Sequence, residues 1–147
     1  MIDDLDKKII RIMNQNARKS FREIAKEVGT SAAVVIHAVK KLEGLGAIKG
    51  YIPVIDAGHF GFGLMAVIAL RISQGKLLET QRKIARIGQV AAVYDVTGEW
   101  DSVVIAYFRG REDLNDFLKK LNTMPFIDRT VTHIVLNIVK DERRVFV

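Results

Sequence analysis

A chain of 147 residues is long enough for one ordinary domain or two small ones, and 49% apolar with 27% charged residues is a composition that packs a core rather than staying disordered. It has no cysteine, which excludes disulfides, thiolate metal sites and a Cys nucleophile, and its apolar run from Met65 to Leu70 is cut by Arg71 far short of a membrane span. A net charge of +6 favours an anionic partner, and an N-terminus opening on Asp3 and Asp4 instead of a basic signal region predicts a cytoplasmic location with no membrane partner.

Leu5, Ile9, Ile12 and Met13 recur at helical spacing, with Asp3 or Asp4 placed to cap, and predict a first helix. Ser20-Phe21-Arg22-Glu23 fits the capping-box pattern. It opens a short second helix with Phe21, Ile24, Ala25 and Val28 on one stripe, which Gly29 ends. Ser31 caps a third helix in which Val35, Val39 and Leu42 fall at i, i+4 and i+7, closed by Gly44 and Gly46. The tight connection from Val28 to Ala32 is that of a helix-turn-helix, whose second element enters the major groove of DNA. A trihelical bundle with no such role fits the same spacing. Between Lys7 and Gly50 ten Lys or Arg stand against Glu23, Glu27 and Glu43, a local excess of +7.

Tyr51 to Ile55 is a short β-prone run containing Pro53, and Gly58, Gly61 and Gly63 break regular structure beyond it. A helix-turn-helix domain over residues 1–50, a linker over 51–63 and a second domain over 64–147 are therefore expected. In that second domain Leu64 to Ile72 reads as a strand, Lys76 to Ile87 as an amphipathic helix, and Val90 to Val96 and Ser102 to Phe108 as strands. Arg111 to Leu121 reads as a helix and Thr130 to Val139 as a last strand, apolar on nearly both faces. The order βαββαβ predicts a ferredoxin-like unit, so the chain as a whole is α+β. Helices on one face of a four-stranded sheet leave the other uncovered, which predicts packing against another copy.

Over essentially its whole length the sequence resembles the Lrp/AsnC, or feast/famine, regulators. The N-terminal resemblance rests on Leu5-Asp6, Ile9-Ile10, Asn16-Ala17-Arg18, Glu23-Ile24-Ala25, Val28-Gly29, Ser31, Val35, Val39-Lys40-Lys41-Leu42-Glu43, Gly46, Ile48 and Gly50-Tyr51. The C-terminal resemblance rests on Thr97-Gly98-Glu99-Trp100-Asp101, Met124-Pro125, Thr130, Thr132 and Ile134-Val135-Leu136. It implies a prokaryotic regulator with a winged-helix-like DNA-binding domain, and a ferredoxin-like domain that forms homodimers and assembles to octamers. Members commonly bind an amino acid or related metabolite between dimers. A DNA-binding architectural protein that senses nothing is the alternative.

The expected DNA contacts are Lys19, Arg22, Lys26, Lys40 and Lys41 to phosphates, and Ser31, Ala33, Val34 and His37 to bases. Arg to guanine and Asn or Gln to adenine are the strongest base-reading pairs, and the third helix contains none of these residue types. Where relatives usually carry Arg this chain has Ala38, and where they carry an aliphatic residue it has Thr30. The first departure predicts a missing cationic arm beside Lys41, and the second a weaker hydrophobic staple on Val35.

The segment Gly98 to Asp101 reads as a hairpin turn. A glycine also lets backbone N–H groups approach a ligand carboxylate, while Glu99 or Asp101 can accept from an α-ammonium group. By the resemblance Gly98, Glu99, Trp100, Asp101, Thr130 and Thr132 are the candidate effector residues, with the last strand completing the pocket from a neighbouring subunit. Phe126, where relatives usually have Gly, would narrow it. His37, His59 and His133 are dispersed without metal-ligand spacing, Gly61-Phe62-Gly63 lacks a third glycine, and no serine stands in a nucleophile elbow. No cofactor, no metal and no enzymatic activity are expected.

Overall fold

Three helices lead the first unit of a computed structural model covering residues 1–147: α1 (Asp4–Gln15), α2 (Phe21–Val28) and α3 (Ala32–Gly44). Each begins where a side chain accepts a free N–H of the first turn. Asp3 accepts from Asp6, Ser20 from Glu23 and Ser31 from Val34, and the first two caps are reciprocal boxes. Such caps are worth roughly 1 kcal/mol each. Gly29 ends α2 at φ 74°, a left-handed conformation that costs glycine nothing.

Ile9, Ile24, Ala25, Val35, Ala38 and Val39 form the core between these helices. Ala38 is therefore a core position, only 5% exposed. The position expected to lack a cationic arm thus packs against α1 and α2. Residues 51–55, β-prone in sequence, form no strand. Pro53 has no N–H to donate, and the Tyr51 hydroxyl instead donates to Glu43 Oε1 at 2.8 Å.

The first unit spans Met1–Val54 together with Lys140–Val147, so the last eight residues lie with the N-terminal helices and not with the sheet to which the sequence assigns them. Arg11 Nε donates to the Val147 carbonyl at 2.5 Å and Asn14 Nδ2 to that of Val145 at 3.2 Å. In return Arg144 Nη1 donates to the Asn14 carbonyl at 3.3 Å.

The second unit, Ile55–Val139, opens with a 3₁₀ turn at Ala57–Phe60 and continues as β1 (Leu64–Ile72), α4 (Leu77–Ala85), β2 (Val90–Asp95), β3 (Ser102–Phe108), α5 (Arg111–Asn122) and β4 (Ile127–Ile134). The antiparallel sheet has the order β2-β3-β1-β4, which is the ferredoxin-like arrangement. Alternation sorts its faces. Ala66, Ile68, Leu70 and Ile72 of β1, with Val104, Ala106 and Phe108 of β3, bury against Ile84 of α4 and Leu114, Phe117 and Leu121 of α5. Phe108 and Phe117 meet edge to face with centroids 5.1 Å apart. Val67, Ala69, Val103, Ile105, Tyr107 and Val131 point to the other face, which no element of this unit covers.

β4 starts three residues earlier and stops five earlier than its alternating pattern suggests. Its pairing with β1 runs from Ile127 opposite Ile72 to Ile134 opposite Ala66, with one last bond from Val135 N to the Met65 carbonyl. Beyond that point Leu136 and Ile138 stand outside the strand and are exposed.

Candidate DNA interface and effector loop

α2 and α3 carry the residues expected at DNA, and the fold treats them unequally. Ala33, Val34, His37 and Lys40 are exposed along α3, as are Arg22 and Lys26 on α2. Ser31 is exposed, but its hydroxyl oxygen already accepts the Val34 N–H at 3.3 Å as the cap of α3. Lys19 is half-buried and its ammonium is paired with Glu27.

Lys41, expected on a phosphate, is turned inward. Its ammonium lies 2.6 Å from Asp6 Oδ2 and 3.3 Å from Asp3 Oδ2. The hydrogen bond to Asp6 is the largest influence holding that ammonium above its usual range. Asp6 is fully buried, and its other oxygen, Oδ1, has no hydrogen-bond partner. A buried carboxylate is costly unless it is paired, and Lys41 pairs it, joining α3 to the start of α1. The sequence carried no sign of this, because the partners are 35 residues apart.

The connection from β2 to β3 holds the candidate effector loop. Gly98 adopts φ 113°, a region that disfavours any side chain, and Val96 N donates to the Asp101 carbonyl at 3.2 Å to close the turn. Asp101 fastens the loop to β1. Its N–H donates to the Leu70 carbonyl at 2.9 Å, and its Oδ2 accepts the Ile72 N–H at 2.8 Å. β3 ends at Ser102 opposite Leu70, so without that carboxylate the Ile72 N–H would have no acceptor on this side. The Asp101 carboxylate, expected at an ammonium group, thus also has a part in the fold.

Glu99 is different. Its carboxylate is 64% exposed, 4.0 Å from the Arg129 guanidinium, and its backbone carbonyl accepts from Arg71 Nε at 2.7 Å. Arg129 also lies over the Trp100 ring, 5.2 Å from its centroid. Arg71 and Arg129 are cross-strand partners on the uncovered face of the sheet. Both were missed in the sequence, although Arg71 is the one charge in an otherwise apolar strand.

Thr130 and Thr132 stand opposite Leu70 and Ile68, on the helix-covered face. Within one chain they do not converge with the Arg71–Glu99–Trp100–Arg129 cluster. No group of three or more His, Asp or Glu stands in a metal-holding arrangement, and no helix is long and apolar enough to cross a membrane.

Comparison with known proteins gives the two units separate matches. Residues 2–43 match the family model of the AsnC-type helix-turn-helix domain, and residues 65–145 that of the Lrp/AsnC ligand binding domain. An uncharacterized HTH-type transcriptional regulator of Pyrococcus furiosus is 41% identical over 97% of both chains. Among solved structures, AsnC of Escherichia coli superposes with a TM-score of 0.88 at 25% identity, covering 97% of each chain. A regulator from Neisseria meningitidis in complex with L-Met has the same fold, with a TM-score of 0.88 at 22% identity over 99% of this chain and 96% of that one.

Proposed function

The chain belongs to the Lrp/AsnC family of transcriptional regulators, and from that premise we propose that it binds double-stranded DNA sequence-specifically through α2 and α3 and answers to an amino acid or related metabolite. The observation that carries the DNA reading is the exposed row Ala33, Val34, His37 and Lys40 on a helix capped by Ser31, with Arg22 and Lys26 exposed on α2. Helix-turn-helix proteins place the N-terminal part of their second helix against base edges and use flanking cations on phosphates.

The effector reading rests on Arg71, Glu99, Trp100 and Arg129. Together they offer an anion and an aromatic surface for an α-ammonium and a side chain, and guanidinium groups for a carboxylate. The relative from N. meningitidis was solved with L-Met, which supports an amino acid as the class of ligand. The apolar uncovered face of the sheet supports homodimer formation, and octamers built from such dimers would let Thr130 and Thr132 of a neighbouring copy approach the loop.

Footprinting on the promoter of its own gene tests the DNA reading: discrete protected sites spaced by helical turns are expected. Uniform protection would instead favour an architectural protein, a reading that the absence of Arg, Asn and Gln from α3 keeps in play. A thermal-shift series with the common amino acids tests the effector reading, which fails if none stabilises the protein at millimolar concentration.

A further inference from the structure

We infer that this regulator reads thymine methyl groups and a neighbouring purine, with Val34 and Ala33 as the methyl contacts and His37 as the hydrogen-bonding base reader beside them. The inference rests on the DNA-binding reading of α3 and deepens it. Four features narrow the readout to these residues. Ala38 is in the core, Lys41 is held by Asp6, Ile36 is half-buried, and the Ser31 hydroxyl, which keeps its O–H to donate, is held at the helix cap before the first turn by the Val34 N–H. What α3 leaves exposed in its first two turns is the methyl of Ala33, the isopropyl group of Val34, 41% exposed, and the imidazole of His37.

Spacing makes these contacts adjacent on DNA. Val34 and His37 are three residues apart, about 4.5 Å along the helix axis at ~1.5 Å per residue. One base-pair step is ~3.4 Å, so the two side chains address neighbouring pairs. In the major groove only thymine presents an apolar group, its C5-methyl, and both purines present N7 as an acceptor. An aliphatic pair beside one imidazole donor therefore fits a thymine next to a purine. It offers no match to the exocyclic donor of cytosine beyond the acceptor nitrogen of the same imidazole. Lys40, one turn further on, is placed for the flanking phosphate.

The test uses the full chain. A randomised duplex library is bound at low salt, the retained sequences are read, and the enriched duplex is remade with deoxyuridine for each thymine and with 7-deazapurines for each purine. Removing a contacted thymine methyl should weaken binding about fourfold, the equivalent of one buried methylene. A 7-deazapurine at one position should weaken the wild type and leave His37→Ala indifferent, while Val34→Ala should lose most of the deoxyuridine penalty. Equal affinity for thymine and deoxyuridine duplexes, with binding otherwise intact, overturns the methyl readout and leaves the DNA-binding function standing. No affinity for any duplex at low salt overturns that function itself. The substitutions in the DNA need no protein variant, so the outcome does not depend on how Val34→Ala or His37→Ala folds.

Discussion

Lys41 Nζ and Asp6 Oδ2 are 2.6 Å apart, and this contact ties the second half of α3 to the first turn of α1. Neighbouring Lys40 is exposed to solvent. Two consecutive lysines thus stand in different surroundings, one ion-paired to a buried carboxylate and one open to solvent.

Lys41→Ala should lower the melting temperature by several degrees, because it leaves the buried Asp6 carboxylate without its cation. It should leave the salt dependence of DNA binding unchanged. Lys40→Ala should do the reverse, holding the melting temperature and reducing the slope of log affinity against log salt by about 0.9. Calorimetry and a salt titration of the two variants check the assignment; equal salt slopes for both would return Lys41 to the interface.

Arg22→Ala and Lys26→Ala should each weaken binding to specific and nonspecific duplexes alike, with a loss of slope similar to that of Lys40. Lys19→Ala should cost less slope, since its ammonium is already paired with Glu27. A ranking with Lys19 first would contradict the exposure pattern.

Burial, followed by the hydrogen bond to Glu43, pushes the Tyr51 phenol up to about 12. A raised pKa means that the folded chain holds the proton more tightly. The contribution is therefore fully present below the ordinary value of 10.0 and is lost as pH rises toward about 12. Melting temperature should fall across that window in the wild type and fall less in Tyr51→Phe. Ultraviolet difference titration of Glu43→Gln should bring one tyrosine back toward 10.0.

Asp101→Asn and Glu99→Gln should part company. Loss of the Asp101 carboxylate weakens the acceptor of the Ile72 N–H, so the ligand-free melting temperature should drop. Glu99→Gln and Arg129→Ala should leave that temperature nearly unaltered and abolish the shift given by an amino-acid effector. If Glu99→Gln retains the full ligand shift, the exposed cluster is not the recognition site.

Replacing Val103 or Ile105 by Glu places a charge on the uncovered face of the sheet. Sizing in solution should show the variants as monomers and the wild type as a dimer or larger. The core lies on the opposite face, so circular dichroism should be unchanged.

The elements most legible in the sequence are those whose pattern matches their environment on both sides. β1 and β3 begin and end at the residues expected, since Leu64–Ile72 and Ser102–Phe108 are central strands with partners along their length. The caps at Ser20 and Ser31 were equally plain. β4 was not, because it is an edge strand with a partner on one side only. The site divides in the same manner. Exposed Arg22, Lys26 and Lys40 follow from helical periodicity, whereas the inward turn of Lys41, the fastening role of Asp101 and the meeting of Arg129 with Trp100 depend on residues distant in sequence. Periodicity reports which side of an element faces the core and says nothing of a partner on another element.

The attachment of Val145 and Val147 to Arg11 and Asn14 makes the first unit discontinuous in sequence. The polypeptide leaves it after Val54, builds the whole sheet unit, and comes back. A severed 1–54 fragment would therefore lack the residues that Arg11 and Asn14 hold. The sheet unit is an insertion between two parts of its neighbour, held at both ends.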